Sequence, residues 1–215
     1  MFGLPAYQYI AVEGNIGAGK TSLTKKLAAD FNAKMILEEV DDNSFLPKFY
    51  EDRKRYSFAL EMSFLASRFH QLKDKLTERD MFQQFVISDY VFAKSFLFSR
   101  ITLEDDEYDL YIRLFEIINS QMKQPDLLVY LHSPIEKLKW NITNRGRAFE
   151  QNITDEYLQS LNDAYIQFIN SYRHLRILMI DCSTLDFVNN EEHYLGIKSL
   201  ICKEYAPGIH QVSVG

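Results

Sequence analysis

The sequence is poor in cysteine, has a single tryptophan and carries no excess of positive charge. Its two cysteines, Cys182 and Cys202, belong to no CxxC pair and no Cys/His cluster, which excludes a disulfide framework or a cysteine-ligated metal as the organising device. Both read as reduced thiols. Lys and Arg number 24 against 30 Asp and Glu, a net charge of −6, so the basic stripe of a nucleic-acid binder is missing. Any phosphate chemistry must then rest on local positive charge. No run approaches the ~18 apolar residues of a membrane helix. Residues 1–7 lack the basic region and apolar stretch of a secretion signal. The five histidines are scattered, with no metal-ligand spacing. These absences point to a cytoplasmic protein with neither nucleic acid nor membrane as partner. There is no repeat and no low-complexity linker, and 215 residues suit one domain. We expect that domain over residues 1–206, with 207–215 a loosely ordered C-terminal tail around Pro207 and Gly208.

What is present is a regular alternation of strand and helix patterns. It implies an α/β fold, a mostly parallel sheet with helices on both faces. Apolar runs at 9–12, 34–37, 85–88, 127–131 and 177–180 read as five strands. Leu23, Leu27 and Phe31 recur at helical spacing over 21–31. Residues 56–76 form a long helix that is apolar around most of its circumference, the pattern of a helix buried on several sides. Residues 103–121 read as a helix whose start, Glu104 to Glu107, is acidic and complements the positive helix end. Thr154 is placed to cap a helix running to Tyr172, with Leu158, Leu161, Tyr165, Phe168 and Ile169 facing inward.

Residues 14–21 read Gly-Asn-Ile-Gly-Ala-Gly-Lys-Thr, the full GxxxxGK[ST] pattern between a predicted strand and a predicted helix. Glycines let the backbone curl so that successive N–H groups face phosphate oxygens, and the following helix adds its positive end. Gly14, Asn15, Ile16, Gly17, Ala18, Gly19, Lys20, Thr21 and the adjoining Ser22 are therefore the expected ATP contacts. Lys20 reaches the β- and γ-phosphates, and the Thr21 hydroxyl ligates Mg²⁺. The pattern names the donor and leaves the acceptor open.

Three predicted strands end in acids, at Glu13, at Glu38 with Glu39, and at Asp89. In an open parallel sheet these ends border the ligand crevice. A phosphotransferase acting on a hydroxyl needs a base beside that hydroxyl and a carboxylate beside Mg²⁺. Glu38 and Asp89 stand in the right places. Arg145-Gly146-Arg147 follows the fourth strand and a short helix, with Glu150 just beyond. Two arginines around a glycine can close over transferring phosphates as a lid at about 144–152.

With these residues in hand, the chain resembles the deoxynucleoside kinases, above all the bacterial purine deoxynucleoside (deoxyguanosine) kinases, from Tyr9 to about Lys203. Besides the phosphate loop, the stretch from Tyr50 to Arg68, YEDRKRYSFALEMSFLASR, is similar to the family's substrate helix without a gap. The resemblance implies a five-stranded P-loop kinase fold, usually a homodimer, that moves the γ-phosphoryl of ATP to a nucleoside 5′-hydroxyl with Mg²⁺. It implies roles as well. Glu38 is the general base. Tyr50 and Glu150 hold the sugar 3′-hydroxyl, with Tyr50 also near the 2′ position. Glu61 sits where the base edge is read, and Arg68 where purine-accepting members carry arginine. Arg145 and Arg147 form the lid. Asp186 and Phe187 belong to the loop that packs on the donor base, and Phe98 is a candidate stacker for the acceptor base.

The sequence departs from the family pattern after the third strand. There Asp89-Tyr90-Val91 replaces an acid-Arg-Ser triplet, leaving Lys94 to supply the charge. Asn141 stands where the lid helix usually adds an arginine, and Glu39 replaces a frequent proline. Glu61 is also individual. An ionised carboxylate only accepts hydrogen bonds, which suits guanine's two adjacent donors and predicts deoxyguanosine as the favoured substrate, with Arg68 donating to guanine O6 and N7. Pairing of Glu61 with Arg68 or another cation is the alternative, and a protonated Glu61 keeps deoxyadenosine as runner-up. A GTPase switch is disfavoured by the absence of an Asn-Lys-x-Asp motif after the late strands. A nucleoside monophosphate kinase or a non-catalytic nucleotide-binding module are the remaining alternatives.

Overall fold

A computed structural model describes residues 6–40, 42–77, 83 and 85–214; residues 1–5 and 215 of the expected domain and tail lie outside the described residues. The chain opens with β1 (Tyr9–Gly14), α1 (Lys20–Phe31), β2 (Lys34–Ile36), α2 (Leu46–Glu51), the long α3 (Arg53–Thr77) and β3 (Val86–Ser88). It continues with α4 (Lys94–Thr102), α5 (Asp105–Asn119), β4 (Leu127–His132), α6 (Ile135–Arg145) and α7 (Asp155–Ser171), and ends with β5 (Arg176–Asp181), α8 (Glu191–Ile201) and β6 (Gly208–Ser213). All strands run parallel in the order β2-β3-β1-β4-β5-β6. β1 is buried at every position because helices cover both faces of the sheet there, which is why its sequence shows an apolar run and no alternation. From β1 the chain builds β2 and β3 on one side and then crosses to build β4 onward. The strand ends around β1 therefore form a topological switch point, the place where open α/β sheets bind ligands.

The five expected strands are all present. The tail is not loosely ordered: it forms a sixth strand, pairing Gly208 to Ser213 with Arg176 to Asp181. Gly208 takes φ 130 at the turn and donates its N–H to Leu175 O at 2.8 Å. Val214 then seats on Gly196 of α8, where an added Cβ would lie 2.3 Å from Val214 Cγ1. A side chain on that helix would exclude the strand's end.

The long helix begins three residues earlier than expected, and its two buried flanks serve separate clusters. Leu65 and Leu72 pack with Tyr90, Tyr111 and Phe115; Leu60 and Phe64 pack with Leu46 and Phe49. Thr154 caps α7, its Oγ1 accepting from Tyr157 N at 3.3 Å, and the five expected inward residues are buried. Each such side chain stabilises the fold by about 1.5–3 kcal/mol on leaving water. Among the described residues no helix is long and apolar enough to cross a membrane.

Candidate active site

The phosphate loop forms the floor of the site. Gly17 and Gly19 take φ of 83 and 90, the left-handed region. A Cβ on Gly17 would stand 2.7 Å from Leu138 O, and one on Gly19 2.6 Å from Phe187 Cζ, so the loop can lie this close to α6 and to the 186–187 turn only as glycine. Lys20 Nζ donates to Gly14 O at 2.9 Å and Asn15 O at 3.0 Å, curled over the loop. Burial, with the nearby Lys94 charge, lowers its pKa to about 8. The Asn15 side chain turns away from the loop's concave face. Its Nδ2 donates to Leu158 O at 2.8 Å and Asn162 Oδ1 at 2.7 Å, which ties the loop to α7.

The strand-end acids divide into two kinds. Asp89 closes the site: Oδ2 accepts from Thr21 Oγ1 at 2.5 Å, and Oδ1 accepts from Glu38 N at 2.7 Å. Burial raises its pKa. Thr21 hydroxyl and Asp89 carboxylate thus converge beside the loop, a hard-oxygen pair of the kind that holds Mg²⁺ when phosphate and water supply the other ligands. Glu13 is different. It accepts from Val91 N at 2.8 Å and Tyr165 OH at 2.9 Å, and it lines neither cavity. Its work is to join β1 to the segment after β3 and to α7.

Glu38 is the centre of a buried charge cluster. Arg68 donates to Oε1 from Nε at 2.8 Å and lies at 2.7 Å through Nη2, while Lys94 Nζ meets Oε2 at 2.6 Å. Burial works to raise the Glu38 carboxyl, but the charges of Lys94 and Arg68 outweigh it and hold it at about 2. Lys94 therefore brings positive charge to the site in place of the family arginine. At that arginine's position, Tyr90 is sealed in the core against α3, its hydroxyl donating to Gln71 Oε1. Arg68 Nη1 also donates to Ser95 Oγ at 2.8 Å, and its guanidinium lies 4.7 Å from the Phe64 ring centroid. Arg68 and Glu61 do not pair: Glu61 Oε1 bonds to Thr102 Oγ1 at 2.9 Å, and Oε2 has no hydrogen-bond partner among the described residues.

α6 ends at Arg145, and Gly146 reverses the chain with φ 73, its N–H on Ile142 O at 3.2 Å. This sends Arg145 and Arg147 to the same carboxylate. Arg145 Nη2 bonds Glu150 Oε2, and Arg147 Nη1 lies 3.3 Å from Oε1. Tyr50 is fixed between aromatic neighbours, 5.3 Å from Phe49 edge-on and 6.1 Å from Phe149 stacked, and burial, reinforced by Glu150, raises its pKa. Asn141 Nδ2 donates to Gly17 O at 2.7 Å, so the residue that replaces the lid-helix arginine clips α6 to the phosphate loop.

Two cavities meet over this floor. One, about 280 Å³, is lined by Glu38, Tyr50, Glu61, Arg68, Asp89, Phe98 and Glu150. The other, about 510 Å³, is lined by Ala18, Gly19, Ser22, Asp186 and Phe187. Gly17, Lys20, Thr21, Arg145 and Arg147 line both. Of the expected loop contacts, Gly14 and Asn15 line neither, and Ile16 lines only the first. The sequence analysis did not single out Tyr157, which lines the first cavity with its ring 4.3 Å from the Arg53 guanidinium, or Trp140, 64% exposed in the wall of the second. Tyr157 was within reach as the first inward position after the Thr154 cap. Trp140 was within reach as a bulky apolar residue on the helix face opposite Leu138 and Ile142.

Similarity to known proteins extends over most of the chain. The family model described as deoxynucleoside kinase matches residues 10–205. The chain is 35% identical over 190 residues to a deoxyguanosine kinase of Bacillus subtilis, covering 86% of this chain and 92% of that protein. It is 36% identical over 187 residues to a deoxyadenosine kinase of Dictyostelium discoideum, covering 86% and 75%. The fold superposes on a deoxyadenosine kinase of M. mycoides solved with dATP, with a TM-score of 0.78 and 22% identity over 90% of this chain and 98% of that one.

Proposed function

The chain belongs to the deoxynucleoside kinase family, and from that premise we propose that it transfers the γ-phosphoryl of ATP to the 5′-hydroxyl of a purine deoxyribonucleoside, with deoxyguanosine favoured. One observation carries this reading: two cavities of unlike lining share the phosphate loop and the paired arginines. The larger takes the donor, whose phosphates lie on the loop and Lys20 while Asp186 and Phe187 border its base. The smaller takes the nucleoside, with its 5′-hydroxyl toward Glu38. Thr21 and Asp89 would hold Mg²⁺, which supplies charge neutralisation to the phosphates when bound.

Glu38 is the base of this reaction. At a pKa of about 2 it is ionised under all ordinary conditions and, while paired with Lys94 and Arg68, is a weak proton acceptor. That suits phosphoryl transfer, whose loose transition state asks chiefly for orientation of the nucleophile. Arg145 and Arg147 stabilise charge on the moving phosphoryl. Glu150, which they hold, accepts from the sugar 3′-hydroxyl together with Tyr50. Glu61 faces the base, and its ionised carboxylate accepts from both guanine donors. Arg68 is largely committed to Glu38 and Ser95, so its contribution to guanine is secondary. The apolar stripe Leu110, Leu114 and Ile117 on α5, 44%, 37% and 63% exposed, supports assembly as a homodimer.

A panel of deoxyribo- and ribonucleosides in one kinase assay with ATP tests the reading. ADP release with purine deoxynucleosides ahead of all others is expected. Turnover confined to nucleoside monophosphates, or none at all, overturns it.

A further inference from the structure

Glu61 and Thr102 make a contact that does not balance while Glu61 is ionised. Thr102 Oγ1, at the end of α4, lies 2.9 Å from Phe98 O and 2.9 Å from Glu61 Oε1. A hydroxyl has one proton, and a carbonyl oxygen only accepts. A carboxylate at Glu61 would also only accept, leaving one of the two contacts without a proton. A proton on Glu61 Oε1 resolves this: Glu61 donates to Thr102, and Thr102 donates to Phe98. The surroundings permit a neutral acid. Glu61 is 2% exposed, and its Oε2 has no hydrogen-bond partner among the described residues. The charged and titratable groups facing it are Arg68 on α3, Lys94 on α4, Glu38 beyond β2, Tyr111 on α5 and Tyr157 on α7. Both cations are spent on Glu38. Burial is the largest influence and takes the carboxyl to about 7, against the pull of Arg68, Thr102 and Lys94.

We infer that Glu61 and Thr102 form a proton-sharing pair through which one site reads two purines, the ionised form selecting guanine and the neutral form adenine. The inference rests on the reading that Glu61 faces the base. Guanine presents two donors, N1–H and the amino group, and an ionised carboxylate accepts both while Thr102 turns its proton toward Oε1. Adenine presents an amino donor beside an accepting N1. A carboxylic acid matches that edge once its proton leaves the Thr102 contact for Oε2: Oε2 then donates to N1, Oε1 accepts from the amino group, and the one Thr102 proton goes to Oε1 or to Phe98 O. Each purine meets an unpaired buried group when Glu61 is in the other form, the condition under which a site discriminates strongly.

The consequence is quantitative. The kcat/KM for deoxyguanosine follows the ionised fraction of Glu61 in the free enzyme, and that for deoxyadenosine follows the neutral fraction. Other ionisations of the enzyme cancel in the quotient. The guanine/adenine ratio should therefore rise about tenfold per pH unit from about pH 6 to about pH 8. Thr102→Val removes a donor that favours the charged form more than the neutral one, so it should lower the ratio roughly three- to tenfold at each pH and keep the slope. Thr102→Ser should restore the ratio. Glu61→Gln, which does not titrate, should give a flat ratio displaced toward deoxyadenosine.

A wild-type ratio independent of pH overturns the proton-sharing pair without needing any variant. An unchanged ratio in Thr102→Val removes Thr102 from it. If Glu61→Gln leaves the ratio as in the wild type, the base-facing reading of Glu61 fails as well, which separates the two failures.

Discussion

Lys94 Nζ lies 2.6 Å from Glu38 Oε2, between side chains only 7% and 10% exposed. With Arg68 on the other oxygen, the carboxylate proposed as the base is also the counter-ion of two buried cations. Replacing it therefore has two effects. Glu38→Gln should lower kcat on the order of 10²–10⁴-fold. It should also destabilise the substrate-free protein by about 3–5 kcal/mol, because Lys94 and Arg68 then face each other uncompensated. Steady-state kinetics and thermal melts of the same preparation check both. Near wild-type turnover would move the base role to Asp89 or solvent, and an unchanged melt would mean that the cations disperse freely.

This double role marks the boundary of what the sequence made legible. The phosphate loop, the strand ends and the Thr154 cap are local patterns, and each stands where it was expected. The Glu38 cluster draws on a strand end, the middle of α3 and the start of α4, and no local period encodes it. Arg68 is expected from its place on the long helix to meet the base; it lines the smaller cavity, and its guanidinium is also bound to Glu38 and Ser95, which no sequence pattern indicates. The sixth strand was missed for the opposite reason. Pro207 and Gly208 are strong breakers, and in the short stretch that follows only Val212 and Val214 repeat at strand spacing. What makes it a strand is pairing with Arg176 to Asp181, distant in sequence, and Gly196 leaves room for Val214 just beyond its end.

Tyr50 should govern the choice of sugar. Its ring is held between Phe49 and Phe149, so it cannot swing aside to admit a 2′-hydroxyl. Deoxyguanosine should exceed guanosine in kcat/KM by about 10²-fold or more, and Tyr50→Ala should narrow the gap to roughly tenfold. Competition assays with both nucleosides measure this directly. Equal use of the two by the wild type would remove the role.

The lid arginines share one carboxylate, Glu150, and line both cavities. In the proposed reaction this is the junction where the phosphoryl group passes, away from the nucleoside base. Arg145→Ala and Arg147→Ala should each reduce kcat about 10²–10³-fold while changing the nucleoside dissociation constant less than tenfold. The opposite pattern, weak binding with kcat preserved, would make the segment a binding turn.

Trp140 is the one tryptophan of the chain, and it stands 64% exposed in the wall of the larger cavity with Val188, 46% exposed, also in that wall. A large aromatic ring left in water beside a site floored by the phosphate loop suits a flat purine, and stacking of a base on an aromatic side chain contributes about 1–3 kcal/mol. Trp140→Ala should raise KM for ATP roughly 5- to 100-fold and leave KM for the nucleoside within about twofold. Because the chain has one tryptophan, emission excited at the red edge, where tyrosine does not absorb, reports this wall alone. ATP should change it saturably, and deoxyguanosine without ATP should not. An emission that responds to the nucleoside and ignores ATP would exchange the assignments of the two cavities, and with them the direction in which the phosphoryl group crosses Lys20 and the lid.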